Sequence, residues 1–178
     1  MAQNVYPTSD VTNNWASGGF GDIDEGATPS DADFAYTQDN PAVGGSGLFE
    51  VHVGDPTDPN THTGHVVRWR HVLIDGGVVA GSAGSGCDVT VYLFQGVTEI
   101  GNSGLLALDA VLSWTDASFS LTEGEAGNIT DYTDLRIRWD VAGGGGSPAN
   151  RRGAGVSWAE VEVPDVVAST RNRVMVVA

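Results

Sequence analysis

The chain has 178 residues, of which 40% are hydrophobic and 8% aromatic, and this composition is typical of one folded domain. Its 23 acidic residues stand against eight arginines and no lysine, for a formal net charge of −15. Such a surface repels phosphate groups, which argues against binding to nucleic acid or to an acidic membrane. No apolar run approaches the ~20 residues needed to span a bilayer, and the first residues lack an export signal, so we expect a soluble globular protein.

The negative charge is concentrated in the first third of the chain. Residues 1–60 contain ten acidic residues and no arginine. An acidic, lysine-free surface is typical of proteins from salt-loving hosts. Salt screens the repulsion between its carboxylates, since the Debye length falls to about 3 Å at 1 M. A GC-rich genome, which disfavours lysine codons, explains the same composition, and both interpretations remain open.

In chain order, a polar N-terminal segment is followed by short apolar runs that alternate with polar residues every second position. Residues 1–14 contain Pro7 and are expected to form an N-terminal arm. The period-2 runs predict strands at Phe34–Thr37, Leu48–Val53, His65–Ile74, Cys87–Phe94, Glu99–Ile100, Leu105–Trp114, Ser118–Leu121, Asp134–Val141 and Gly155–Val163. Many short strands with glycine-rich turns predict an all-β fold, a single antiparallel jelly-roll-like β-sandwich over residues 15–164.

Two local patterns predict structure between the strands. Thr122 and Glu125 have the spacing of a capping box, which predicts a helix of one or two turns. Asp131 suits an Asx-type turn that leads into the next strand.

The two strands at Asp134–Val141 and Gly155–Val163 are expected to form an antiparallel hairpin. A symmetric register would place Arg136 opposite Glu160 and Arg138 against Trp158, and each contact would add up to about 1 kcal/mol.

Residues 165–178 are predicted to form a C-terminal arm or an added strand. An apolar, β-prone segment is an aggregation hazard unless it pairs with a sheet edge, in its own subunit or in a neighbour's. Arginines near it can pair with carboxylates of an acidic partner. The candidate partner-binding residues are Arg151, Arg152, Arg171, Arg173, Val174, Met175, Val176 and Val177.

Catalytic motifs are sparse. There is no G-x-S-x-G elbow and no lysine for a P-loop or a Schiff base. The single Cys87 begins an apolar strand face and is expected to be buried and inert. His52, His62, His65 and His71 are interpreted as ordinary loop and strand residues. We therefore expect no enzymatic activity; a hydrolase would need two carboxylates about 5–10 Å apart across a cleft.

Two kinds of binding site remain open in the sequence. Carboxylates in two loops are candidate Ca²⁺ ligands, although solvated acidic loops are the favoured interpretation and no cofactor is expected. The four candidates are Asp55, Asp58, Asp22 and Asp24. For a glycan platform, Trp158 is the tryptophan expected to be most exposed, because it shares a strand face with two glutamates, and Trp114 is the alternative.

Several segments in order resemble β-sandwich virion proteins of tailed viruses of bacteria and haloarchaea, and the likeness covers most of residues 5–164. These segments are Tyr6–Val11 with Trp15, Ile23–Glu25, Ser30–Phe34, Gly64–Arg70, Val91–Gly96, Phe119–Thr122, Tyr132–Arg138 and Val156–Pro164. The resemblance implies a non-enzymatic structural component of a virus particle, assembled in the host cytoplasm.

Together, these observations predict a head decoration or vertex protein, anchored through its termini to the major capsid protein or to tail proteins. A homo-oligomer is expected. One alternative is a tail-tip or baseplate component that contacts the receptor, and another is a carbohydrate-binding β-sandwich module.

Overall fold

The computed structural model describes residues 2–38, 47–84, 87–143 and 152–166. Within these residues the chain forms two antiparallel sheets, which confirms the predicted all-β sandwich. The six-stranded sheet comprises β1 (Gln3–Val5), β3 (Ala35–Tyr36), β5 (Val66–Asp75), β6 (Val78–Val79), β9 (Thr115–Ser120) and β11 (Gly153–Val163). The five-stranded sheet comprises β2 (Pro7–Asn13), β4 (Gly47–Val53), β7 (Cys87–Gln95), β8 (Thr98–Ala107) and β10 (Leu135–Gly143).

The centre of the six-stranded sheet is the pair β5 and β11. The short strands β1 and β3 pair with β11, while β9 and β6 pair with β5. Between Val156 and Trp158 the β5–β11 register shifts, which leaves Ser157 as an extra residue in β11. This β-bulge redirects the Ser157 side chain, as bulges do beside binding sites.

The hydrophobic core lies between the two sheets and is built from the alternating residues that the sequence predicts. Phe49, Val51 and Val53 of β4 are all buried. The Phe49 ring stacks on Trp139 with 5.4 Å between ring centroids and lies 5.0 Å from the ring of Trp15. Burial of such large rings supplies much of the stabilisation, at roughly 25 cal/mol per Å² of apolar surface.

The N-terminal segment is not the arm that we expected. Gln3 pairs with Val163 at the edge of one sheet, and Pro7 pairs with Val53 at the edge of the other. The segment has few apolar residues because edge strands bury only part of their surface, so its sequence resembles that of a loop. Of the predicted C-terminal arm, the described part of the chain includes only residues 165 and 166.

The predicted hairpin is also wrong, since its two strands lie in different sheets. Strand β10 pairs with β4 and β7, so Arg136 is opposite His52, whereas β11 places Glu160 opposite Arg68.

Both local predictions are confirmed. The helix α1 (Glu123–Ala126) is capped by Thr122, whose Oγ1 accepts a hydrogen bond from the backbone N–H of Glu125 at 3.2 Å. The Oδ1 of Asp131 accepts a hydrogen bond from the Thr133 N–H at 2.9 Å. Asp131 thereby caps a short 3₁₀ helix at Tyr132–Asp134, which leads into β10. No helix in these ranges is long and apolar enough to cross a membrane.

Candidate functional site

Trp158 does not have the exposed position that we expected of it. Its residue surface is 7% exposed, and its indole Nε1–H donates a hydrogen bond to the Gly26 carbonyl oxygen at 2.6 Å. Alternation along β11 correctly places Trp158 on the outer face of the sheet. A loop far away in sequence covers that face, so the buried ring offers no glycan platform.

The covering segment is the acidic loop, which we define as residues 23–34. It is fastened to β11 at the bulge, because the Ser157 hydroxyl donates to Oδ1 of Asp31 at 3.1 Å and the next residue holds Gly26. A loop with several fixed contacts to a rigid strand presents its side chains in a defined arrangement, which lowers the ordering cost of binding.

Three half-buried rings, Phe34, Tyr36 and Trp114, form what we call the aromatic patch. The Phe34 ring centroid lies 5.6 Å from that of Tyr36 and 5.3 Å from that of Trp114, in an edge-on arrangement with the latter. None of the three belongs to the hydrophobic core between the sheets. Trp114 is therefore the tryptophan that meets the expectation of partial exposure.

The aromatic patch lies on the outer face of the six-stranded sheet. Ala35 is fully buried in the core, so Tyr36, the next residue of the strand, points the other way. Tyr36 pairs with Gly155, which pairs with Val72. Gly155 has no side chain, and a Cβ atom there would lie only 2.9 Å from the Ile74 side chain. This glycine leaves room for the neighbouring side chains to pack closely against the sheet.

A polar group, the Arg70 network, lies beside the patch. The guanidinium of Arg70 donates to both carboxylate oxygens of Asp31, at 2.7 and 3.0 Å, and to Oδ1 of Asp116 at 2.8 Å. These hydrogen bonds raise the pKa of Arg70, and the bonds from Arg70 and Ser157 lower the pKa of Asp31 against the opposing effect of its burial.

The patch and the network form one continuous surface. Trp114 directly precedes β9 and Asp116 is the second residue of that strand, so the two residues lie together at one end of β9. Phe34 and Asp31 belong to the same loop. Half-buried rings beside oriented polar groups are typical of sites that bind small polar ligands.

The acidic loop also contains a carboxyl group with a strongly shifted pKa. Burial raises the pKa of Glu25 to about 7, and the nearby carboxylates of Asp33 and Asp24 contribute to the shift. Both carboxyl oxygens of Glu25 are buried, so the group cannot reach a ligand on the surface.

A second charged group lies on the outer face of the five-stranded sheet. Glu50 is almost completely buried between Arg136 and Arg138, and Nε of Arg138 donates to it at 2.5 Å. The Arg138 guanidinium also covers the Phe94 ring, 3.8 Å from its centroid. Asp134 supplies the second carboxylate, because its Oδ1 accepts from Arg136 at 2.8 and 3.0 Å. Two carboxylates thus balance two guanidinium groups, and we interpret this group as a structural element of the sheet.

Three further titratable side chains, His65, His71 and Cys87, are buried. His65 Nε2 and the Tyr132 hydroxyl are hydrogen-bonded at 2.9 Å, while burial lowers the pKa of His71 to about 4. Burial raises the pKa of the Cys87 thiol to about 12, so this group stays protonated and unreactive at neutral pH.

The candidate calcium ligands do not come together. Oδ2 of Asp22 accepts from the Gly19 N–H at 2.8 Å, and Oδ1 of Asp58 accepts from the Asn60 N–H at 2.8 Å. Asp24 and Asp55 are exposed. Across the described ranges, no three His, Cys, Asp or Glu side chains are grouped so that they could hold a metal ion.

The candidate partner-binding residues are mostly outside the described residues, namely Arg151, Arg171, Arg173, Val174, Met175, Val176 and Val177. Arg152 is described, and its Nη2 lies 3.2 Å from a carboxylate oxygen of Asp75 in the same chain. Partner binding by these residues stays a prediction.

No protein-family model matches the sequence, and no curated protein matches it. Among solved structures the chain is similar to the CBM51-2 and INT domains of ZmpB from Clostridium perfringens, at 10% identity and a TM-score of 0.43. That match covers 91% of this chain and 32% of the other, so this chain spans about a third of its length. It is also similar to a CBM51 domain of Clostridium perfringens GH95 in complex with methyl-galactose, at 13% identity and a TM-score of 0.36, over 88% of this chain and 86% of that chain. These matches give the virion resemblance no support, and the sandwich assignment rests on this chain's own two sheets.

Proposed function

We propose that this chain is a non-catalytic carbohydrate-binding β-sandwich module whose site is the aromatic patch together with the Arg70 network. The observation that carries the proposal is the position of Phe34, Tyr36 and Trp114, which are partly exposed on an outer sheet face and lie outside the core. Aromatic rings present a flat apolar surface at a small cost in conformational entropy, which suits the apolar face of a sugar ring.

The Arg70 network supplies the polar half of such a site. Sugar hydroxyls need fixed donors and acceptors, and Asp31 is held in place by Arg70 and Ser157. The Asp116 side chain is 70% exposed and uses only Oδ1 for Arg70, so Oδ2 is an acceptor for a hydroxyl group.

The electrostatics support binding rather than hydrolysis. A glycosidase needs a general acid with a raised pKa next to a second carboxylate. The pKa of Asp31 is lowered by Arg70, and the carboxyl group with a raised pKa, Glu25, has both oxygens buried.

The predicted role as a structural protein of a virus particle, at the head or the tail, remains a separate prediction. The N-terminal segment that was expected to anchor the protein forms strands paired within the sandwich. Of the C-terminal arm, residues 167–178 lie outside the described residues. The glycan proposal depends on neither terminus.

The test is glycan-array screening of the purified chain, followed by calorimetry with the glycans that bind. Trp114→Ala removes the largest ring of the patch and should weaken binding about thirtyfold, the effect expected when a tryptophan that dominates a binding site is truncated. The matched control is Tyr92→Ala, which removes a partly exposed ring from the opposite sheet and should leave binding unchanged.

Two results would refute the proposal. One is the absence of binding to any glycan by the folded chain. The other is binding that both variants weaken equally, or that Trp114→Ala does not change.

A further inference from the structure

We infer that this site selects glycans by charge, favouring neutral and amino sugars over sugars that carry carboxylate or sulfate groups. The inference rests on the proposed function, because it concerns the ligand of the same site.

Negative charge exceeds positive charge on the outer face of the six-stranded sheet. Among the described residues this face carries two arginines, and each of them is paired with two carboxylates. The four negative charges therefore exceed the two positive charges by two. The pairs are Arg70 with Asp31 and Asp116, and Arg68 with Glu160 at 2.9 Å and Glu162 at 2.5 Å.

The positive charge of Arg70, in the network beside the aromatic patch, is already offset by two carboxylates. The guanidinium of Arg70 donates three of its five N–H groups to carboxylates, at 2.7, 2.8 and 3.0 Å. Its single positive charge is therefore shared between Asp31 and Asp116, and an anionic sugar that approaches it also meets the negative charge of both carboxylates. The hydroxyl or ammonium group of a sugar instead meets an exposed acceptor, Oδ2 of Asp116.

The acidic loop adds to the same field. Asp24 and Asp33 are exposed on it, and residues 1–60 contain no lysine or arginine to balance them. Exposed charges act over about 8–10 Å at moderate salt. Asp33 directly precedes Phe34 in the chain, so its carboxylate influences a ligand at the patch without touching it.

The test compares matched glycans on the same array. For each neutral glycan that binds, we expect its sialylated or sulfated form to bind about tenfold more weakly at low salt, which corresponds to about 1.4 kcal/mol. Glucosamine oligosaccharides should bind at least as well as their N-acetylated forms at pH 6. Both differences should shrink in 1 M NaCl, where the Debye length is about 3 Å.

A variant that removes one negative charge tests whether the weaker binding of anionic glycans comes from the outer face of the six-stranded sheet. Asp116→Asn should narrow the gap between neutral and anionic glycans by about threefold, as one of two excess charges is lost. Asp140→Asn removes an equal charge from the opposite sheet and should leave the gap as it is.

The outcomes separate the two proposals. Anionic glycans that bind as well as neutral ones, or better, and that lose binding in Trp114→Ala would overturn the charge selection while leaving the carbohydrate site intact. If no glycan binds the folded chain, the proposed function fails, and the charge selection fails with it.

Discussion

Replacement of Trp158 by phenylalanine tests whether the acidic loop holds the binding surface in place. The substitution keeps an aromatic ring but removes the indole N–H that donates to the Gly26 carbonyl at 2.6 Å. The lost hydrogen bond, together with a partly buried carbonyl left without this donor, should lower the free energy of unfolding by about 2 kcal/mol. With a urea m-value of about 2 kcal/mol/M, the unfolding midpoint should fall by about 1 M urea.

The same change should also weaken glycan binding, although Trp158 lies beneath the surface. Without the contact to Gly26, the loop that carries Asp31 and Phe34 keeps its contacts through Asp31, but side chains near Gly26 must be ordered when the ligand binds. Ordering costs roughly 0.5–1.5 kcal/mol per side chain, so the dissociation constant should rise about two- to tenfold.

Trp15→Phe provides a closely matched control for both measurements. Trp15 is 8% exposed, compared with 7% for Trp158, and its Nε1–H donates to the Gly47 carbonyl at 2.8 Å. The Trp15 indole packs on Phe49 and Trp139 in the core and donates to β4 of the five-stranded sheet rather than to the acidic loop, so this variant should lose similar stability but keep its affinity for glycans. The reasoning is refuted if the two variants weaken binding equally, or if Trp158→Phe changes neither stability nor binding.

The other predictions concern pH, capping and salt. Glu25 has its pKa raised to about 7 by burial and nearby acids, so the folded state binds its proton more tightly than the unfolded state and stability falls as pH rises from about 4.5 to 7. The urea midpoint of Glu25→Gln, measured relative to that of the wild type, should therefore increase between pH 5 and pH 8. A difference between the two midpoints that does not change with pH would contradict this. Thr122→Ala should lower the free energy of unfolding in urea by about 1 kcal/mol, because Thr122 caps α1. The control is Ser120→Ala, which should lower it much less because Ser120 is exposed and caps no helix. Sodium chloride from 0.1 to 1 M should raise the thermal midpoint, since it screens a net charge of −15; a lower midpoint at high salt would count against self-repulsion as a limit on stability.

The sequence is sufficient to predict the strands that alternate clearly and the local turns. Phe49, Val51 and Val53 share a buried face because their period matches the pleat of a strand. The capping box at Thr122 depends on four consecutive residues, and such short-range patterns are readable without the fold.

Pairing between strands could not be predicted, because it depends on residues far apart in the chain. Local alternation in β10 and β11 is the same whether they form a hairpin or lie in opposite sheets. For the same reason Trp158 was expected to be exposed: alternation gives the face of the sheet, but only the full fold shows that Gly26 covers it.

The candidate site was predicted only in part. The sequence indicated Trp114 as the alternative glycan platform, whereas no pattern singled out Arg70 as a site residue. Their meeting with Asp31 and Phe34 requires the bulge at Ser157 and the path of the acidic loop, for which no local pattern gives a signal.

The pairing of Gln3 with Val163 determines when the sandwich can close during synthesis on the ribosome. A contact between residues 160 positions apart forms only after almost the entire described chain has emerged. Until then β11 is missing from the middle of its sheet, and β5 is exposed along the edge that β11 later occupies. Nascent chains should consequently remain protease-sensitive until a late, concerted closure, as folding is slow where distant segments must meet.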